Sequence, residues 1–301
     1  MEQTTSQHNI RLIRFKASDG VELCGWFTNK DDTNTAVIHL HGMSGNGYEN
    51  KFLDHIRDSY LKNEISFFTI NTRGSGIISN LTLNNNDGTT SLKKGGSCYE
   101  VFQECVYDIE GAIETMKDLG KTRIILQGHS LGCSKVVYYL TANMDLKFQK
   151  LVKKIVLLAP TNVIKFLELD NNHKMNYQKA QNLQKNNNGA ELVDFYCGYF
   201  KFPISADSYI SLSTPQSPVD IYSNQKDSDS SLGRLEILSL IVYGDVDMGI
   251  IDIYGSVENY IKEIDLFNNS NIKIEIIKGA NHGYNNLEEE LCKILQKFIV
   301  S

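Results

Sequence analysis

No stretch of the chain approaches the ~20 consecutive apolar residues that a helix needs to cross a bilayer, which excludes a membrane span. The start, Met1 to His8, lacks the basic and apolar regions of a secretory signal, so a cytoplasmic location is expected. Six cysteines (Cys24, Cys98, Cys105, Cys133, Cys197 and Cys292) have no CxxC or finger spacing. That pattern argues against a metal site and a disulfide framework, and it predicts buried, reduced thiols. Lys and Arg number 30 against 36 Asp and Glu, a formal charge of −6, so the basic surplus of a nucleic-acid binder is missing. Small uncharged or cationic partners fit this balance better. The glycine-rich run 42–47 lacks both the GxxxxGK[ST] lysine and GxGxxG spacing, so no nucleotide or other cofactor is expected.

Present instead is an ordinary globular composition, 41% hydrophobic and 22% charged, over 301 residues. That length suits one α/β core carrying an insertion. Segments 9–17 and 21–27, joined by Asp19-Gly20, read as an antiparallel hairpin at a sheet edge. Strand patterns at 36–40, 65–71, 123–127, 155–158, 237–243 and 272–277 then alternate with helical patterns near 48–62, 99–119, 131–142, 255–265 and 287–298. Such alternation predicts an α/β fold: a mostly parallel eight-stranded sheet with helices on both faces. The region 161–233 breaks the alternation with a helical, amide-rich piece, an aromatic cluster (Phe195, Tyr196, Tyr199, Phe200 and Phe202) and a Ser/Asp/Pro-containing tail. A structureless loop of that length is uncommon in a compact domain. We therefore expect a core of 1–160 and 234–301 with a cap inserted at 161–233, and a mobile loop at 80–96 near the site entrance.

The most informative pentapeptide is GHSLG, 128–132, between the strand pattern 123–127 and a helical stretch. Strand, tight turn with a serine, and helix form the setting of a nucleophile elbow. The flanking glycines let strand and helix approach closely and tolerate strained backbone angles. Ser130 is thus the candidate nucleophile. Two later strand patterns run into Gly244-Asp245-Val246-Asp247 and Gly279-Ala280-Asn281-His282-Gly283, so strand ends supply Ser, then Asp, then His. In doubly wound sheets these ends converge on the ligand crevice.

That chain order separates the arrangement from chymotrypsin-like and subtilisin-like enzymes, and the sequence resembles the α/β-hydrolase superfamily over nearly its whole length. The resemblance runs from the HGMSGN turn at 41–46 through the elbow to the GANHGY loop at 279–284. Asn71-Thr72-Arg73-Gly74, the 99–109 segment and Pro203-Ile204-Ser205-Ala206 are similar to a little-characterised group of small hydrolases whose fungal relatives include siderophore esterases. The resemblance implies an oxyanion hole made by the backbone N–H groups of Met43 and Leu131. It also places the acid most often three residues after the glycine, which favours Asp247, with Asp245 as the alternative.

A serine hydroxyl needs a base to take its proton during attack, and His282, following the last strand, is the candidate. An acid, Asp247 or Asp245, then holds the imidazole in the useful tautomer. His39 and His41, which flank the glycine turn, read as structural hydrogen-bonding residues; His8, His55 and His173 lack catalytic context. The expected activity is hydrolysis of a carboxylic ester through an acyl-enzyme. A thioesterase, or an ester-releasing hydrolase of a biosynthetic pathway, uses the same residues and stays open. So does a ligand-binding protein without turnover, since fold alone does not determine function.

Overall fold

Strand patterns that are apolar throughout become sheet interior, because helices cover them on both sides. A computed structural model of the protein describes residues 9–214, 217–222, 230–265 and 269–300. His8 and parts of the Ser/Asp/Pro-containing tail, for which expectations were stated, lie outside the described residues. The main sheet comprises β1 (Ile10–Lys16), β2 (Glu22–Thr28), β3 (Thr35–Leu40), β4 (Ser66–Asn71), β5 (Arg123–His129), β6 (Val152–Leu158), β7 (Ser239–Gly244) and β8 (Ile272–Ile277). Its order is β1-β2-β4-β3-β5-β6-β7-β8, with β1 and β2 antiparallel and the strands from β4 to β8 parallel. The eight-stranded α/β fold expected from the alternation is the fold observed, with the opening hairpin at its edge.

Two apolar layers sandwich this sheet. On one face α1 (Phe52–Lys62) and α9 (Glu288–Val300) bury Phe52, Ile56, Leu291 and Leu295 against Val37, Phe67 and Val156. On the other, α2 (Cys105–Asp118) and α3 (Leu131–Thr141) bury Val106, Ile109, Val136 and Val137 against Ile38, Leu126 and Leu157. Segment 161–233 folds as α4 (Val163–Glu168), α5 (His173–Lys185), short two-residue strands and α6 (Ala206–Ser213). These elements build a third apolar cluster, in which Val163, Phe166, Val193, Ile204 and Tyr209 meet Met43 and Leu131 of the core. Side-chain caps start two of this segment's helices: Asn162 accepts from the Lys165 N–H, and Ser205 from the Ser208 N–H.

The structure differs from the sequence expectation in two places. The stretch expected as a mobile loop is a hairpin, Ser79–Asn84 paired antiparallel with Thr90–Gly95. Leu81 and Leu83 pack against the main core and Leu83 bridges to Val21, while Asn84 donates to the Gly20 carbonyl and Lys93 pairs with Glu104, so apolar anchors and polar ties together order a Thr- and Asn-rich segment. It lies beside β2, and none of its residues is among those described that line the candidate cavity below. Near the C-terminus, two helices stand where one was expected: α7 (Met248–Tyr254) and α8 (Val257–Asp265). Gly255, with φ 74°, is the left-handed cap that ends α7, and it does not begin a helix.

One buried charge cluster ties the sheet edge to α2. Arg73, 1% exposed just beyond β4, donates to Asp108 from Nε and Nη2 at 2.9 and 2.7 Å, and it pairs with Asp19 and Glu104 at 3.0 and 2.8 Å. Removing one partner of a buried pair leaves the other charge desolvated and alone, which typically costs 3–5 kcal/mol. Arg73→Met is therefore expected to lower unfolding stability by about that amount. Urea denaturation monitored by circular dichroism checks it, and a midpoint within error of wild type would show that the network adds nothing.

Candidate active site

β5 ends at His129 and α3 begins at Leu131, so Ser130 alone makes the turn, with φ 54° and ψ −124°. A non-glycine residue rarely adopts positive φ, and such strain, of order 1–3 kcal/mol, survives only where packing over-determines it. The packing here is backbone against backbone. A Cβ on Gly128 would lie 2.5 Å from the Gly132 carbonyl carbon, and one on Gly132 would lie 2.4 Å from the Leu40 carbonyl oxygen. The glycines thus supply close approach, while the strained angles fall on the serine. Leu131 is the first residue of α3, so its N–H has no acceptor within the helix, and the residue lines the same cavity as Ser130.

The turn after β3 presses on the same point, since a Cβ on Gly42 would lie 2.8 Å from Ser130 Cβ and 3.3 Å from Ser130 Oγ. Met43 follows and, with Ser130, Leu131, Thr161 and His282, lines one cavity. Val163, Phe166, Cys197, Tyr199 and Phe200 from 161–233 complete its walls. Of the five aromatics flagged in that segment, Tyr199 and Phe200 reach the cavity, whereas Phe195 is buried against Tyr209.

His282 stands in the loop after β8 and engages Asp247, after β7: its Nδ1 lies 3.1 and 3.0 Å from the two carboxylate oxygens. Asp247 is 1% exposed, and its Oδ1 also accepts from the Gly249 N–H at 2.7 Å, so capping α7 fixes the carboxylate that faces the imidazole. Asp245, the alternative acid, instead accepts from the Gly279 N–H at 2.5 Å. The structure therefore brings Ser130, His282, Met43 and Leu131 to one cavity with Asp247 behind it, and directs Asp245 elsewhere. The Ser130 hydroxyl makes its hydrogen bond to Thr161 Oγ1, at 3.2 Å.

Two contributors escaped the sequence reading. Thr161 stands just past the carboxyl end of β6, a position where a parallel sheet presents ligand-facing residues, and that was the available signal. His129 left no signal, because its contact is long-range: Nε2 donates to the His282 carbonyl oxygen at 2.8 Å, and the two rings lie 4.8 Å apart. Burial, reinforced by the neighbouring His282, lowers the His129 pKa to about 3. Burial and the Lys135 charge lower that of His41 to about 3. Both histidines are consequently neutral hydrogen-bonding groups.

This has a consequence for stability. A histidine held neutral in the fold but free to protonate near its ordinary value of about 6.5 when unfolded makes the unfolded state bind more protons between the two values. Its stabilisation is complete above about pH 6.5 and is lost as the pH falls toward 3, by about 1.4 kcal/mol per unit for each such histidine. Urea midpoints measured from pH 7 to 4.5 should fall accordingly, and His129→Gln should flatten the slope by roughly one proton. An unchanged slope in that variant would contradict the assignment.

Comparison with known proteins bears on the fold and the family. The chain superposes on Est1E from Butyrivibrio proteoclasticus, solved with ferulic acid bound, at a TM-score of 0.62 and 16% identity over 95% of this chain and 97% of that one. For the Pyrococcus furiosus esterase Pf2001 the values are 0.62 and 14%, over 97% and 91%. For the siderophore hydrolase EstB from Aspergillus fumigatus they are 0.67 and 13%, over 97% and 98%. At these identities the likeness establishes the α/β-hydrolase fold. No curated protein matches the chain in sequence. Residues 31–301 match the family described as "Protein of unknown function (DUF1749)", and the chain belongs to that family.

Proposed function

We propose that the protein is a serine hydrolase that cleaves a carboxylic ester. The observation that carries this reading is the Asp247–His282 hydrogen-bonded pair, opening on the same cavity as a strained elbow serine. With Nδ1 engaged by the carboxylate, the neutral imidazole keeps Nε2 free to accept a proton. The Ser130 hydroxyl turns from Thr161 toward His282 and gives up its proton to Nε2 as Oγ bonds to the carbonyl carbon. The oxyanion so formed accepts from the Met43 and Leu131 N–H groups, the latter at the positive end of α3. Collapse expels the alcohol with the proton from His282, and a water activated by the same imidazole releases the acid.

Segment 161–233 is the cap in this reading. Its contribution to the cavity, Val163, Phe166 and Phe200 among others, favours a neutral, apolar acyl group over a charged one. EstB carries a siderophore substrate in its name; the ester bond class is what we extend to this chain.

A fluorophosphonate probe is expected to label wild-type protein and to leave Ser130→Ala unlabelled, as read by intact mass. Labelling of the alanine variant would overturn the assignment of the nucleophile. Asp247→Asn is expected to lower kcat on an activated ester by on the order of 10⁴-fold, because the asparagine amide favours the wrong imidazole tautomer. Asp245→Asn should stay within a few-fold of wild type. The reverse ranking would move the acid to Asp245.

A further inference from the structure

Each residue of Asn71-Thr72-Arg73-Gly74 meets a specific partner. Asn71 Oδ1 accepts from the Gly47 N–H at 2.9 Å, and a Cβ on Gly74 would fall 2.1 Å from Glu100 Oε2. Ser75 Oγ and the Gly76 N–H both donate to the Gly45 carbonyl, at 3.1 and 3.2 Å. The segment after β4 thus clasps the glycine turn after β3.

Thr72 does something more directed. Its N–H and its Oγ1 both lie 3.1 Å from His41 Nε2. On the far side of the ring, Nδ1 lies 2.7 Å from the Gly42 carbonyl oxygen. A carbonyl only accepts, so the imidazole hydrogen sits on Nδ1, and Nε2 is the acceptor that Thr72 satisfies. Lys135 Nζ, on α3 five residues after the nucleophile, donates to Thr72 Oγ1 at 3.2 Å and to Glu100 Oε1 at 2.6 Å. An ammonium donating to Oγ1 leaves the threonine hydroxyl hydrogen to point at His41. Thr72, Lys135 and His41 are at most 1% exposed.

The far end of this chain is the peptide between Gly42 and Met43. In a trans peptide the C=O and N–H point in opposite directions, and none of the described peptide bonds is cis. Holding the Gly42 oxygen from the His41 side, with a second bond from the Gly45 N–H at 3.2 Å, leaves the Met43 N–H directed the other way, where Gly42 abuts Ser130.

We infer that Thr72 and Lys135 are positioning residues which, through His41, aim the Met43 amide at the oxygen of the reacting carbonyl. This rests on the hydrolase reading above. The relay is arranged before substrate arrives, so its effect falls on the transition state and not on ground-state binding.

The test compares Thr72→Val, which removes the hydroxyl at nearly constant volume, with Thr72→Ser, which keeps it. On an activated ester, Thr72→Val is expected to lower kcat about tenfold or more with KM within about twofold, and Thr72→Ser to restore it. Affinity for a trifluoromethyl ketone that adds to Ser130 should fall in Thr72→Val by the same factor as kcat. A merely structural role would lower the melting temperature without this split. Full kcat in Thr72→Val, or a rise in KM with inhibitor affinity unchanged, overturns the inference. Should Thr72→Val not fold, the double variant Lys135→Met, Glu100→Gln carries the same comparison. Nitrogen-15 spectra of the histidine rings supply a readout apart from turnover, since wild type should show His41 protonated at Nδ1. Fluorophosphonate labelling of wild type separates the two failures. With labelling, unchanged kcat sinks the relay alone. If neither labelling nor hydrolysis occurs, the hydrolase reading falls and takes the relay with it.

Discussion

Close approach of three backbones at Ser130 is the constraint on which the rest depends. β5, the first turn of α3 and the turn after β3 meet so tightly that a single methyl on Gly128 or Gly132 would collide with main-chain atoms. That contact holds the serine at a positive φ. It also lays the Gly42–Met43 peptide alongside the serine, so the two groups to which we assign nucleophile and amide donor share one origin. The energy that sustains the strained φ comes from the two apolar layers, which hold the parallel strands and their helices in register.

Charge is handled differently on the two sides of this point. Beyond β4, charged groups are buried in pairs: Arg73 with Asp108, and Lys135 with Glu100 at 2.6 Å. Beyond β7 and β8 the carboxylate of Asp247 is buried, but it faces an imidazole that is 30% exposed in its side chain. Around these groups His41 and His129 are kept neutral by burial, so His282 is the imidazole of this set that both reaches the cavity and carries a carboxylate partner. Histidines held neutral by burial leave the charge around the Asp247–His282 pair unchanged near neutral pH.

Much of the fold was legible because periodicity in the sequence reports burial. Continuous apolar runs such as those of β3 and β5 lie where helices cover both faces, and the alternating β2 lies near the edge. Elsewhere tertiary context overrides local chemistry. The Ser79–Asn84 hairpin is polar in composition but anchored by Leu81 and Leu83, and Gly255 ends a helix through its backbone geometry. Thr161, His129, Thr72 and Lys135 share another trait: each acts on a partner at least 31 positions away in the chain. No local pattern encodes such a pairing.

The sequence by itself determined the class of fold, the serine at a strand-to-helix turn, and the order in which serine, acid and histidine arrive. Each of these is written in the spacing of glycines and apolar runs, which obey local backbone sterics. Only the tertiary structure decided between Asp245 and Asp247 as partner to the imidazole, since both follow one strand and only the direction of a side chain separates them. It also decided that the Ser130 hydroxyl rests on Thr161, and that the Thr72 hydroxyl reaches His41. Those choices depend on which side chains meet when separate strands are packed edge to edge, and that is a property of the assembled sheet.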